Sequence, residues 1–319
     1  MTAEPTISVV MSVYNGADTL RDTVESVLSQ EGVDFEFVII NDGSSDSSAS
    51  MLDSFAAADD RIRLVHQANQ GLTKALINGC AIARGKYIAR QDVGDISLKN
   101  RLLIQKQALD NSPDLSFVSC WTEFCGPKRE FLSISKGTGL AKLPVEIISV
   151  SEAHGVIDGP TTHLSVMFRK DRYFEVGGYR GQFYFGQDWD LWYRLGAVGK
   201  FQMIEKVLCQ LRVAPNTLSG RYRNLQQEIS KLSYQMLIRR HHGQPEADLL
   251  QLAQNIRPAE HPPGVSAAVK AAGLYFIGEQ LRRNADNRCE AYFRESLSLH
   301  PTMLRAWLRL GQFWATPKS

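Results

Sequence analysis

No stretch of this chain approaches the roughly 20 consecutive apolar residues that a membrane-spanning helix requires. Its N-terminus, MTAEPTISVVMSVYN, lacks the basic segment and long apolar core of a secretory leader. Both absences place the expected protein in the cytoplasm, where contact with the inner face of a membrane would be peripheral. Cysteine is scarce: Cys80, Cys120, Cys125, Cys209 and Cys289 make five, with no CxxC spacing among them. An odd count without paired spacing argues against a disulfide framework and for reduced, buried thiols. An excess of either charge is missing as well. Lys and Arg number 36 against 34 Asp and Glu, so a nucleic-acid partner is not expected. No GxGxxG follows the first apolar run, which excludes a dinucleotide cofactor, and no GxxxxGK[ST] occurs anywhere, which excludes a P-loop enzyme.

What is present is an ordinary globular balance, 44% hydrophobic and 22% charged residues over 319 positions, enough for about two domains. Short runs rich in β-branched residues fall at 7–13 (ISVVMSV), 35–40 (FEFVII), 62–66 (IRLVH), 86–90 (KYIAR) and 115–121 (LSFVSCW). Between them, helical spacing of apolar residues predicts helices over 17–30, 46–58, 72–83 and 97–110. Strands alternating with helices of this length mean βαβ units and a parallel sheet, and continuous apolar runs suit strands covered on both faces. Residues 123–165 read as loop, punctuated by Gly126-Pro127, Gly137, Gly139, Pro144 and Gly159-Pro160. A strand at 165–170, a helix at 185–196 and a strand late in 201–213 follow. After Pro215 the pattern is helical to the end, which divides the chain into residues 1–215 and a helical region 216–319.

In a parallel sheet ligands bind beyond the carboxyl ends of the strands. Four polar clusters stand there: Tyr14-Asn15-Gly16, Asn41 to Asp46, Asn69-Gln70-Gly71 and Asp92-Val93-Gly94-Asp95. Asp92 and Asp95 end a strand as a carboxylate pair, the set a hard cation such as Mg²⁺ or Mn²⁺ takes together with substrate phosphates. Such an ion would neutralise a phosphate leaving group. Alternatively Asp95 caps a helix beginning near Ile96. Asp42 suits a nucleobase or ribose, or an Asx turn. Asp188, in GQDWDLWYR, opens a helix beside Trp189 and Trp192. A carboxylate among aromatics can have a raised pKa and act as a general base, or it can simply face the helix dipole. His163 is a candidate ligand or proton carrier, or a structural histidine; His241-His242 read as a solvated helix face. In the tail, Trp307, Leu310, Gly311 and Trp314 match the opening of a tetratricopeptide repeat, and Phe293 and Pro301 match the preceding repeat. A degenerate repeat hairpin and an amphipathic helical cap both fit.

ISVVMSVYNGADTLRDTVESVLSQ, FEFVIINDGSSDSS, NQGLTKALINGCAIARGKYIARQDVGD and FGQDWDLWYRL stand in the order and spacing of the family 2 glycosyltransferases, and residues 5–215 resemble that family. The resemblance implies the A-type glycosyltransferase fold, an α/β architecture with a Rossmann-like mixed, mostly parallel sheet followed by a C-terminal helical region, and a nucleotide-diphosphate sugar donor. By it, the Tyr14-Asn15 turn and Asp42 hold base and ribose. Asn69, Gly71 and Lys74 line the diphosphate, with Gln91 and Asp92 also on the donor side. Asp92 begins the metal motif, and Asp188 is the base that deprotonates the acceptor hydroxyl. It further implies inverting transfer to a saccharide or lipid-linked saccharide, in bacterial cell-surface polysaccharide or glycoconjugate synthesis. Two departures stand out: Gly94 replaces the second acid of the metal motif, and Gln187 replaces the acid before Asp188. QxxRW and membrane helices, marks of the processive synthases, are missing, so transfer is expected to be non-processive. Gly94 favours a second reading, a nucleotide-binding scaffold of the same fold.

Overall fold

Strand β1 (Ile7–Val13) is buried at every position, as is β2 (Phe35–Asp42). Their side chains alternate between two apolar clusters. Val9, Met11, Val13, Phe37 and Ile39 join one, and Val10, Val38 and Ile40 join the other. A sheet with both faces apolar needs helices on both, and the chain supplies them. The structure, a computed structural model, describes residues 5–137, 159–215, 222–258 and 265–315.

After β1 come α1 (Ala17–Leu28), β2, α2 (Ser48–Ala58), β3 (Ile62–Gln67), α3 (Leu72–Ile82), β4 (Tyr87–Asp92), β5 (Ile96–Ser97), α4 (Arg101–Asn111), β6 (Leu115–Cys125) and β7 (Phe131–Ser135). Then follow β8 (Met167–Arg169), α5 (Lys170–Glu175), α6 (Gln187–Val198), β9 (Lys200–Arg212), α7 (Arg223–His241) and α8 (Ala247–Asn255). The last are α9 (Ala267–Arg283), α10 (Cys289–Leu299) and α11 (Leu304–Ala315). The strands lie in the order β3-β2-β1-β4-β8-β6-β9-β5, with β7 paired to β6. Strands β3, β2, β1 and β4 are parallel, and β8 enters antiparallel between β4 and β6. The parallel strands β3, β2, β1 and β4 are what the alternation of elements predicts, and the antiparallel β8 makes the sheet the mixed, mostly parallel Rossmann-like one that the resemblance implies.

Helices α1, α2 and α4 cover one face through Leu20, Val24, Val27, Leu52, Leu102 and Leu109. Helices α3, α5 and α6 cover the other through Ala75, Leu76, Tyr173, Leu191, Trp192 and Leu195. Helix α3 comes so close that a Cβ on Gly79 would lie 2.7 Å from Val10 Cγ1, so glycine is required there.

Two local expectations are corrected. The helix expected from 97 begins at Arg101 behind a left-handed Asn100, because Ile96 and Ser97 pair instead with Gln210 and Cys209 of β9. Asp95 is therefore not a helix cap. The strand expected over 165–170 is shorter, since Lys170 already opens α5. Gly139, Pro144 and the start of the region after residue 215 lie outside the described residues.

Packing divides the chain into two compact units, Met1–Thr122 with Ser135–Leu211 and Gln227–Arg257, and Glu123–Ile134 with Arg212–Gln226 and Pro258–Ser319. In the second, Leu274, Ile277, Leu281, Tyr292, Phe293, Leu297 and Leu310 form an apolar core. Gly278 meets Phe293 closely there, whereas Gly311, the repeat-motif glycine, faces open space.

Candidate active site

The register aligns the strand ends. Val13 stands opposite Asn41, Ser12 opposite Asp92 and Asp42 opposite Gln67. The four polar clusters therefore share the carboxyl edge of β1 to β4. Beyond β1, Tyr14 is 54% exposed and Asn15 adopts a left-handed φ of 51°. Asn15 knits the first two turns together: its N–H donates to Ser44 Oγ at 3.0 Å, and its Oδ1 accepts from Ser45 N at 2.7 Å. The same turn caps α1, since Gly16 N–H donates to Ser48 Oγ and Ala17 N–H to Asp46 Oδ2, satisfying amides that a helix start leaves open.

Asp42 is buried, and its carboxylate shapes the third turn. Oδ1 accepts from Gln67 Nε2 at 2.6 Å and Gln70 N at 2.9 Å, and Oδ2 accepts from Gly71 N at 2.8 Å. Asn69 Nδ2 donates to the Asp42 carbonyl at 2.9 Å. Gly43 makes the approach feasible: at φ 72°, a Cβ there would lie 2.6 Å from Asn69 N. Gly71 also has positive φ, 87°, and Lys74 is exposed one turn into α3. The structure thus brings Asp42, Asn69 and Gly71 together.

At the end of β4 the positive partner of the acid is an arginine. Arg90 is fully buried, and its Nη2 donates to Asp92 Oδ1 at 2.5 Å. Its Nη1 donates to the carbonyls of Val10 and Gln91, and its Nε to His163 Nε2 at 3.1 Å. A guanidinium only donates, so the His163 nitrogen facing it carries the lone pair and the ring proton sits on Nδ1. Burial and then Arg90 push the His163 imidazole down to about 3, which makes it a neutral, structural histidine. Tyr179 Oη lies 2.6 Å from the same nitrogen. Burial by itself would raise the Asp92 carboxyl, but the positive charge around it, Arg90 foremost and Arg101 with it, holds the group below the usual carboxylate range.

Beneath this lies a second fully buried guanidinium, Arg101, whose bonds among the described residues go to neutral acceptors: the side chains of Gln91, Ser97 and Gln105 and the carbonyls of Arg90 and Leu164. Gln91 is also fully buried. Its Oε1 accepts from Ser97 Oγ and Arg101, and its Nε2 donates to the carbonyls of Asp92 and Asp95. Gln91, expected on the donor side, is thus buried beneath the β4–β5 turn and holds that turn from below.

Asp188 lies in the first turn of α6, partly buried, with Oδ1 accepting the Trp189 N–H at 2.9 Å. Burial, with the negative charge of Asp92 adding to it, pushes its carboxyl up to about 6 against the pull of its own backbone amides and Arg90. A carboxylate with that pKa near neutral pH accepts a proton far better than an ordinary aspartate.

A divalent cation fits this edge in one form. Asp92 is kept ionised, its side chain is 31% exposed, and no donor among the described residues takes Oδ2. No cluster of three or more His, Cys, Asp or Glu side chains able to hold a metal occurs among the described residues. Asp92 thus offers an accessible carboxylate at the end of β4, and Mg²⁺ or Mn²⁺ needs only one or two when substrate phosphates complete the shell. Asp95 is buried, with its carbonyl accepting from Thr23 Oγ1. Gly94 has φ 96°, a conformation that an acid at that position would resist.

Sequence reasoning missed Arg90, Arg101 and Tyr179. The only signal was an arginine lying inside an apolar strand, where a charge is costly without a partner.

The model of glycosyl transferase family 2 matches residues 8–174. An uncharacterized glycosyltransferase of Methanocaldococcus jannaschii is 30% identical over 217 residues, covering 67% of this chain and 72% of its own length. Another, from Rickettsia prowazekii, is 26% identical over 66% of this chain and 64% of its own. Among solved structures, S. aureus TarS 1-349 covers 97% of this chain and 89% of its own at TM-score 0.56 and 12% identity. Mannosyltransferase PcManGT from Pyrobaculum calidifontis, in complex with GDP-Man and Mn²⁺, covers 98% and 85% at TM-score 0.56 and 15% identity. At these identities the likeness is one of fold, and the fold is the A-type glycosyltransferase fold.

Proposed function

Because this chain belongs to family 2 of the glycosyltransferases, we propose that it transfers a sugar from a nucleotide-diphosphate sugar to an acceptor hydroxyl with inversion at the anomeric carbon. The observation that carries this reading is the contrast between two aspartates: Arg90 keeps Asp92 ionised, while burial raises Asp188 to about 6. Environments that push two acids apart divide them between charge binding and proton transfer. Above about pH 6 the Asp188 carboxylate takes the acceptor's hydroxyl proton. The freed oxygen attacks the anomeric carbon opposite the diphosphate, and the departing C–O electron pair goes to the phosphate oxygen.

The Tyr14-Asn15 turn and Asp42 hold base and ribose, with Asn69, Gly71 and Lys74 on the diphosphate side. Mg²⁺ or Mn²⁺, held by Asp92 with Asp95 and the donor phosphates, would offset the charge of the leaving diphosphate. PcManGT with GDP-Man and Mn²⁺, and TarS with UDP, support a donor of this class. The acceptor is read as a saccharide or lipid-linked saccharide, and the role as non-processive synthesis of a bacterial surface polysaccharide or glycoconjugate in the cytoplasm, at the inner face of the membrane. No described helix is long and apolar enough to cross a membrane.

A titration of UDP and GDP, with and without Mn²⁺, followed by nucleotide release from the matching sugar donors, tests the reading. Binding with release supports an enzyme. Binding without release at any pH between 5 and 9 would favour the scaffold reading that Gly94 suggests.

A further inference from the structure

Two residues beyond Asp188 lies an acid that the transfer chemistry does not use. Asp190 is fully buried. Arg194, on the next turn of α6, donates Nε and Nη2 to Asp190 Oδ2 at 3.0 and 2.6 Å and Nη1 to the Val176 carbonyl at 2.6 Å. Glu246, just before α8, joins two further arginines: Arg180 Nη2 donates to its Oε1 at 2.6 Å, and Arg240 Nη1, from α7, donates to its Oε2 at 2.5 Å. Both arginines also face Asp190 Oδ1, at 3.6 and 3.8 Å. Three guanidiniums from three separate segments therefore enclose two carboxylates.

A second contact joins the same segments. Gly186, left-handed at φ 64° and adjacent to α6, approaches α7 so closely that a Cβ would lie 2.6 Å from Ile229 Cγ2. Phe183 packs there with Ile229, Met236, Leu249 and Ala253. The turn that presents Asp188 is thus held on one side by an apolar cluster and on the other by ions.

A buried ion cluster is a poor way to gain stability, since apolar side chains of similar volume often do as well. What it adds is direction. Asp190 sits about 200° around the helix from Asp188, so fixing one against the protein fixes the face on which the other emerges. The Asp190–Arg194 pair turns with the helix, so resistance to rotation of α6 comes from Arg180 and Arg240, which draw Asp190 from outside, and from the Arg194 bond to the Val176 carbonyl.

We propose that α7 and α8 brace the base-bearing helix, and that Asp190, Arg180, Arg240 and Glu246 are positioning residues that aim the Asp188 carboxylate. This rests on Asp188 being the base. It gives the segment 227–257 a part in positioning the base.

The test uses full-length protein carrying Arg240→Met, which keeps the aliphatic stem, and Arg240→Lys, which keeps the charge. Each is made alone and with Asp188→Asn. Hydrogen exchange is read over residues 186–194. Nucleotide release without acceptor is measured on a panel of UDP- and GDP-hexoses, and UDP and GDP affinity by calorimetry. Arg240→Met should speed exchange in the first turn of α6 by about tenfold or more, as local opening there becomes easier. It should lower the turnover of donor hydrolysis by about 10- to 100-fold, the scale of a small misplacement of a reacting group. Nucleotide affinity should change less than about twofold, Arg240→Lys should recover most of the loss, and Arg240→Met should cost nothing further once Asp188 is Asn. Unchanged exchange, or an equal loss in the Asp188→Asn background, overturns the brace. Parental hydrolysis by Asp188→Asn alone would instead remove the base reading, with exchange still reporting on the brace.

Discussion

Arg90 Nη2 lies 2.5 Å from Asp92 Oδ1, with the guanidinium fully buried and the carboxylate partly open to solvent. The acid that ends β4 is therefore charge-matched before any ligand arrives, and it is aimed outward by a residue that cannot itself leave the core.

Arg90→Met should destabilise the fold by more than the ~1 kcal/mol of an exposed pair but by less than the ~3–5 kcal/mol of a fully buried one, because the Asp92 carboxylate left behind is 31% exposed. It should also free His163 and raise the Asp92 carboxyl from its depressed position. Denaturant unfolding at pH 7 checks the first point. A loss below about 1 kcal/mol, the level of an exposed pair, would mean that the pair is not an anchor.

Asp92→Asn keeps an oxygen for Arg90 to bond but removes the charge. It should weaken UDP or GDP binding in the presence of Mn²⁺ and leave metal-free binding nearly as it was. Calorimetry with and without EDTA separates the two, and equal affinities for Mn²⁺-loaded nucleotide in parent and variant would rule out Asp92 as a ligand.

Asp188→Asn should cut turnover by about 10²–10⁴-fold, the span of general base catalysis. In the parent, turnover should fall as pH drops below about 6, where the carboxylate is protonated, and this limb should vanish in the variant. Stability runs the other way. A carboxyl raised in the folded state costs stability above its folded pKa and recovers it as pH falls from about 6 toward 3.8, the ordinary value for an aspartate. Asp188→Asn should accordingly raise the melting temperature at pH 8 and change it little at pH 4.

Gly94→Asp restores the acid of the family pattern and should nevertheless do harm. At φ 96° a side chain costs about 1–2 kcal/mol. Calorimetric melting should show that loss, and Mn²⁺ affinity should rise only if the β4–β5 turn rearranges. A variant as stable as the parent would show that the turn adapts.

The strand ends were legible because each closes an apolar run with turn-forming polar residues, and a parallel sheet collects such ends on one edge. Asp42, Asn69 and Gly71 follow that rule and meet. Arg90 was not legible. Which carbonyls and rings surround a charge inside a strand depends on register with β1 and on residue 163, far along the chain. The start of α4 was misplaced for the same reason, since Ile96 and Ser97 answer to β9. The helical character of 227–255 was visible in the spacing, but its packing on Phe183 and Gly186 was not, because an amphipathic face does not name its partner.

The position of β4 has a consequence for how the chain acquires its fold. Strand β4 lies between β1, some 80 residues before it, and β8, some 80 residues after it, so both of its neighbours are remote in sequence. Closing such long loops is slow. During synthesis, residues 7–92 can assemble four parallel strands while β4 is still an open edge, and Arg90 then lacks His163. That half-built sheet would expose backbone donors and acceptors to other chains. Pulse-labelled exchange should find β1 to β3 and the β4 amides that face β1 protected first, and the β4 amides that face β8, such as Arg90 N–H to the Val166 carbonyl, only together with residues 163–169. Aggregation during refolding should be worst in fragments that end between 92 and 163.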